Sequence, residues 1–383
     1  MDEYAYVLIT PYSIHKSRTG GIIGRILSNT DLEPCVARMY SPSNEMIDDL
    51  LKAVEQDRLS DHNRRLFYDY VNTNLRPHNP SGISNRCLLL VVRGQDATTV
   101  MRRAIGHVTY KPKGDTIRGT FGDYITHDHE VIYFEPAVLS GPDPEAMRRH
   151  MEVFKRYAQL DGGVITRALD GFFDNTEGFE TTLVLLKPDA VRPGSSRPGS
   201  IIDMFSKTAL FIVGAKLVRF SVAQAQEFYA PLRDVLEARL EPALKRRLER
   251  LLRPGLPFKL DDDDLDAVTR ILCKKNASCE FNQIVQYITG KNPVTTPTEQ
   301  HNEPGTERCL ALLYYGNNAI TKIRDQLGAT DPVTAKGGTV RSVFGENILR
   351  NGAHASDSPE NAERERKIVG LSGCEKSELD DPI

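Results

Sequence analysis

The sequence predicts an α+β fold: two ferredoxin-like (βαββαβ) domains in tandem, each an antiparallel sheet covered by helices. Three observations predict it. Short apolar, β-rich runs alternate with stretches of helical spacing. The order strand–helix–strand–helices–strand–helix–strand occurs once in the first half of the chain and again in the second. Finally, VLITP at 7–11 answers VLLKP at 184–188, NRCLLLVVRG at 85–94 answers ERCLALLYYG at 307–316, and TIRGTFGDYI at 116–125 answers TVRSVFGENI at 339–348.

In chain order, residues 4–10 form an apolar run stopped by Pro11, a buried strand. A turn at 17–21 leads to a helix over 22–27, and 33–40 alternates as a second strand. Residues 44–54 and 63–71 have helical spacing, 86–93 is a third strand, and 95–105 is a helix. A loop follows over 106–118, then a basic helix over 144–160 and a hinge at 161–163. The second half repeats the plan, with strands at 181–187, 210–220 and 308–315 and helices within 195–208, from the Ser221 cap to 232, and over 318–327. The offset between copies grows from 177 at the first match to 222 at the second. The second copy therefore carries additional residues between its second and third strands, within 233–278 and 291–306. These hold a Leu- and Arg-rich helix over 240–252, an Asp261–Asp264 run that reads as a solvated loop or helix start, and a loop over 291–305. The expected domains are 1–165, then 178–370 with a helical insert around 233–278, then a flexible acidic tail at 371–383.

A chain of 383 residues has room for two or three domains. Its net charge of −3 argues against a broad polycationic surface, so neither DNA nor RNA is an expected partner. The six cysteines form no CxxC pair, and Cys87 and Cys309 lie in apolar runs that suit buried thiols. The acidic start lacks the features of a signal peptide, and no apolar run approaches the ~20 residues of a membrane span. A cytoplasmic protein without a membrane partner is expected.

Phosphoryl transfer needs a nucleophile, cations that neutralise the transferred oxygens, and a holder for the donor. The stretch Asn351-Gly352-Ala353-His354-Ala355-Ser356-Asp357 sets one histidine among small and polar residues. Around it stand LVLLKPDAV at 183–191, GNNAITKIRDQLGATDP at 316–332, GGTVRSVFG at 337–345 and SDSPENAERE at 356–365. These ordered segments, over residues 180–370, resemble the nucleoside diphosphate kinases, whose Asn-x-x-His-x-Ser-Asp run carries a phosphorylated histidine.

The resemblance implies two nucleoside diphosphate kinase-type domains. It also implies an enzyme that moves the γ-phosphate of an NTP to a nucleoside diphosphate through phosphohistidine. His354 would be the nucleophile. Lys187 would meet the phosphate chain and sugar, and Arg324, Thr330 and Arg341 the phosphates. Asn351 would meet the ribose, Ser356 and Glu365 would orient the histidine, and Tyr229 would lie close to it. Mg²⁺ would ride on ATP or another NTP without a protein metal site. Nucleoside di- and triphosphates are the implied partners, and a homo-oligomer built from intrachain pseudo-dimers the implied assembly. The chain departs from the family where the base stacks: Glu280 takes the stacking position, with Phe281 next and Ile284 as an apolar wall. Ala355 replaces a glycine. A narrower choice of acceptor, or a nucleotide-sensing scaffold, are the alternative readings.

In the first copy an ungapped register sets Thr10 at the lysine position, Val131 at the histidine, Asp128 at the asparagine and Val108 at the threonine. Arg102 and Arg118 keep the two arginine positions, and His127 and His129 lie near the missing nucleophile. The first copy is expected to be non-catalytic.

Overall fold

The computed structural model describes residues 2–108, 114–128, 130–192, 194–258, 260–373 and 379. In the N-terminal half, β1 (Asp2–Ile9) leads through α1 (Pro11–His15) and α2 (Thr19–Asn29) to β2 (Glu33–Tyr40). Helices α3 (Asn44–Val54) and α4 (Asp61–Asn74) precede β3 (Cys87–Gln95), and α5 (Ala97–Ile105) and α6 (Ile117–Phe121) follow it. A hairpin, β4 (Asp123–His127) and β5 (Glu130–Glu135), comes before the short β6 (Val138–Leu139) and α7 (Pro144–Arg156).

The C-terminal half runs β7 (Phe179–Leu186), α8 (Arg197–Ser206), β8 (Phe211–Val218), α9 (Val222–Phe228), α10 (Ala230–Leu252) and α11 (Asp262–Thr289). It continues with β9 (Cys309–Asn317), α12 (Ala319–Leu327), α13 (Val340–Phe344), β10 (Ala353–Ala355) and α14 (Pro359–Ile368).

The two four-stranded sheets have the orders β2-β3-β1-β6 and β8-β9-β7-β10, antiparallel throughout, and β4-β5 forms a third, two-stranded sheet. This is the ferredoxin-like order twice over, and it places the first and third strands of each half at the centre. Those strands read as nearly continuous apolar runs because both faces are covered, and the last five residues of β1 and of β7 are buried. Polar caps fix where the helices begin. Ser43 accepts from Met46 N, Asp143 from Ala146 N ahead of Pro144, Ser358 from Asn361 N ahead of Pro359, and Ser221 forms a capping box with Gln224.

By contact, the chain divides into two compact units. One comprises Met1–Val218 with Cys309–Ile383 and contains both four-stranded sheets; the other, Arg219–Arg308, contains α9, α10 and α11. Asp261 caps α11, and Asp262, Asp263 and Asp264 fill its first turn, so the acid run is a helix start. No helix of the described residues is long and apolar enough to cross a membrane.

Within the sheet-bearing unit the two halves meet closely. Helices α2 and α8 cross at Gly20, Gly24 and Gly199, where a Cβ on Gly199 would lie 2.1 Å from Gly20 O and 2.5 Å from Gly24 N. Only a residue without a Cβ allows that approach. The edge strands β2 and β8 lie against each other. Arg86 Nη1 donates to Ile212 O at 2.8 Å, and Ile165 N to Val213 O at 2.9 Å.

Three details differ from the sequence reading. The expected hinge at 161–163 is tied to β2: Ser41 N donates to Asp161 O at 2.8 Å and Gly163 N to Met39 O at 3.0 Å. The expected loop over 106–118 holds at 106–108 and 114–116 and ends in α6, which Thr116 caps by accepting from Gly119 N, while 109–113 lie outside the described residues. Of the expected flexible tail, Leu371 and Leu379 are buried, while 374–378 and 380–383 lie outside the described residues.

Candidate active site

The site is built on β10, which pairs with β7 so that His354 stands opposite Leu185. Just before it, Gly352 has φ 81°, a conformation that favours glycine, and its carbonyl accepts from Lys187 N at 2.9 Å. That turn sets Asn351 under the lysine. Asn351 is fully buried; its Oδ1 accepts from Lys187 Nζ at 2.7 Å, and its Nδ2 donates to Thr330 O at 2.9 Å and Ile348 O at 3.0 Å. Lys187 Nζ also donates to Leu349 O at 3.1 Å. Lys187 is only 7% exposed. Burial first, and Arg341 second, push its pKa down to about 8, against the opposing pull of Asp189 and Cys309.

The histidine side chain is 23% exposed, open enough to meet a ligand. Its Nε2 lies 3.0 Å from each oxygen of Glu365. Glu365 is buried on α14, where Ser356 Oγ donates to Oε2 at 2.7 Å and Arg364 Nη2 lies 3.6 Å from Oε1. An ionised carboxylate on Nε2 holds the ring proton there and places the lone pair on Nδ1. Arg341, on α13, donates from Nη1 to Gly328 O at 3.0 Å and from Nη2 to Ala353 O at 3.2 Å, so its guanidinium is fixed to the histidine strand.

His354, Lys187, Asn351, Arg341, Ser356 and Glu365 are therefore gathered around one short strand. Thr330 joins them through its carbonyl, its side chain being exposed, and Arg324 is exposed in the last turn of α12, which packs on β10. Tyr229, Phe281 and Ile284 belong to the helical unit. Tyr229 is buried with its ring 5.1 Å from that of Phe228. Phe281 is 2% exposed, and the Arg233 guanidinium lies 4.1 Å from its ring centroid, so it is a core residue of that unit. Ile284 is half-buried and Glu280 exposed on the same long helix.

Sequence reasoning missed Asp189. It is buried, and its Oδ2 accepts from Gly352 N at 3.1 Å, holding the turn that leads into β10. Its place two residues beyond Lys187 is the one signal that could have drawn attention to it.

The N-terminal half corrects the register. Thr10 N donates to Ala137 O at 3.2 Å, as Lys187 N does to Gly352 O, and Leu8 pairs with Leu139 as Leu185 pairs with His354. The nucleophile position is thus Leu139 rather than Val131, and the asparagine position is Pro136 rather than Asp128. The β4–β5 hairpin lengthens this half ahead of its fourth strand, and an ungapped count cannot follow it. Val131 pairs with Thr126 in that hairpin, and His127 is exposed beside Asp128. His129 lies outside the described residues. Arg118 repeats Arg341, donating to Gly106 O at 3.0 Å and to Val138 O at 3.3 Å. On α7, His150 takes the place of Glu365 by the same count from the helix cap.

The family model "Nucleoside diphosphate kinase" matches residues 180–236 and 298–370, and the matched segments flank most of the helical stretch. The nucleoside diphosphate kinase of Dehalococcoides mccartyi strain CBDB1 is 31% identical over 186 residues, 49% of this chain and 88% of the relative. That of Campylobacter hominis is 31% identical over 186 residues, 49% of this chain and 91% of its own. A solved NDP kinase structure from Pyrobaculum aerophilum is 29% identical and covers 50% of this chain and 94% of that chain, with a TM-score of 0.33. Residues of the motif stand together in space, and relatives covered nearly end to end share about a third of the aligned positions; the chain belongs to the nucleoside diphosphate kinase family.

Proposed function

We propose that the C-terminal half transfers the γ-phosphate of an NTP to a nucleoside diphosphate through phosphohistidine at His354. The observation that carries this is the Glu365 carboxylate 3.0 Å from His354 Nε2. With the ring proton held on Nε2, Nδ1 attacks the γ-phosphorus; the N–P bond forms and the bond to the β,γ-bridging oxygen breaks. The positive charge that develops on the ring is met by Glu365, and the NDP leaves with the bridging electron pair. A second NDP attacks the phosphohistidine and reverses these steps. Arg341 and Arg324 supply forked donors to the transferred oxygens, and Lys187 supplies the ammonium that meets the leaving group. Asn351 holds Lys187 in place and lies where the sugar end of the nucleotide would bind.

The charged groups gathered at Lys187 and Arg341 suit a polyphosphate. These donors fit Mg²⁺ carried on the nucleotide's own phosphates, where it neutralises charge. A cytoplasmic setting, and assembly through the paired halves, complete the reading.

The test is a chase. The full chain is incubated with γ-labelled ATP, isolated, and offered single diphosphates. Acid-labile, base-stable label on the chain that then moves to NDP is expected. Label retained by His354→Ala, together with full exchange, would sink the proposal. A second reading, narrowed acceptor choice, is favoured by the burial of Phe281 and by Glu280 at the stacking position. Equal rates over purine and pyrimidine diphosphates would count against it.

A further inference from the structure

The N-terminal half contains a cavity of about 450 Å³, within the range of small-molecule sites. It occupies the position that the C-terminal half gives to phosphoryl chemistry. Leu139, at the nucleophile position, is on its wall, as are Arg102 and Arg118 at the two arginine positions and His150 at the position of Glu365. The chemistry of its walls is different. Leu8, Leu50, Val54, Phe67, Val71 and Leu139 give it a largely apolar body. Arg102, Arg103 and His107 are exposed at its rim, and Arg118 lies along its side.

The polar groups facing the interior are mostly satisfied by one another. Tyr6 Oη and His150 Nδ1 share a hydrogen bond of 2.6 Å, His150 Nε2 lies 3.2 Å from Asp57, and Arg149 donates to Asp57 at 3.0 Å. Two lining atoms are left over: Arg118 Nε and His150 Nε2 are buried and have no hydrogen-bond partner among the described residues. Burial also pushes the Arg118 pKa down to about 10, the sign of a charge short of compensation.

The occupant cannot resemble the polyphosphate proposed for the other half. Where Lys187 presents an ammonium, Thr10 donates to the buried carboxylate of Glu135 at 2.9 Å, and Asp57 adds a second carboxylate to the wall itself. A run of phosphates along that side would meet negative charge in a low-dielectric setting. One anionic group at the arginine rim, with an apolar body inside, meets every wall with its complement.

We infer that this cavity is a second ligand site, for a small organic anion with one charged group on an apolar body. The inference stands on the cavity alone, so it survives or fails independently of His354 chemistry.

Octanoate is the probe, titrated calorimetrically into the full chain, with ADP as a second arm. One octanoate per chain is expected. In R102A/R103A, two exposed rim positions outside the transfer machinery, its affinity should fall about tenfold or more while the melting temperature and any NDP kinase activity hold. Leu139→Trp, which fills the cavity, should abolish binding; if that variant does not fold, the rim variant still decides. Three results would overturn the inference: no octanoate binding at millimolar concentration, affinity unchanged in the rim variant, or octanoate lost in Arg324→Ala of the other half. If two ADP molecules bind per chain and R102A/R103A loses one, the cavity is a nucleotide site and the choice of ligand is wrong.

Discussion

Around the fourth strand the two halves share a main-chain frame and differ there in a few side chains. Thr10 and Lys187 donate through the same backbone amide to Ala137 and Gly352, and Arg118 and Arg341 tie the same two carbonyl positions. Asp96 and Asn318, at φ 51° and 53°, open equivalent helices. Against this constancy, His354 faces Leu139, Lys187 faces Thr10, Asn351 faces Pro136 and Glu365 faces His150. The frame is set by strand pairing and caps, which tolerate these changes. The chemistry is set by what projects from the frame, and a fold by itself implies none.

The largest effect expected from breaking this contrast is at the nucleophile. His354→Ala should lower NTP–NDP exchange by roughly a thousandfold or more, and retained exchange would move the chemistry elsewhere. The reciprocal change, Leu139→His, should yield no phosphohistidine in the N-terminal half, because neither the lysine nor the glutamate stands beside it. Label appearing there would mean that the frame alone suffices.

Glu365→Gln keeps the shape and removes the charge that meets the imidazolium. The rate constant of the labelling step should drop roughly a hundredfold, with nucleotide affinity little changed.

Lys187 sharpens the comparison through pH. Its folded pKa of about 8 lies below the ordinary 10.5, so the ammonium needed for transfer is lost above about pH 8. There kcat/KM should fall about tenfold per pH unit. Stability should move the other way. Between about 8 and 10.5 the unfolded chain binds the proton that the folded chain releases, so stability rises with pH, by on the order of 3 kcal/mol at most. Lys187→Met should flatten the stability change, and an unchanged curve would show that another group titrates.

The smallest effect is at the turn before the fourth strand. Gly352 at φ 81° corresponds to Ala137 at φ 62°. The nearest atoms to a Cβ on Gly352 lie at 3.5 Å or beyond, so Gly352→Ala should cost about 1 kcal/mol, from backbone conformation alone. Ala137→Gly should be near neutral or stabilising. Denaturant midpoints would separate the two.

Much of this was legible in the residues. The central strands announced themselves as apolar runs because both faces are covered. The cluster around His354 could be read because its members recur in fixed order along the chain. Leu139 could not be found by counting, since the β4–β5 hairpin adds residues that no local pattern marks as an insertion. Phe281 stands next to the stacking position along the chain, but α11 buries it under Arg233, and burial is a tertiary property. Asp189 acts by holding a backbone amide 163 residues away, which a motif scan does not weigh.

The crossing of α2 and α8 at Gly20 and Gly199 has a consequence for mass action. The partners of that crossing belong to one chain, so dilution does not separate them; their effective concentration is set by the polypeptide, on the order of millimolar or above. The half that carries His354 thus keeps its neighbour even at nanomolar protein. Specific activity that holds constant down that dilution series is the signature of the arrangement.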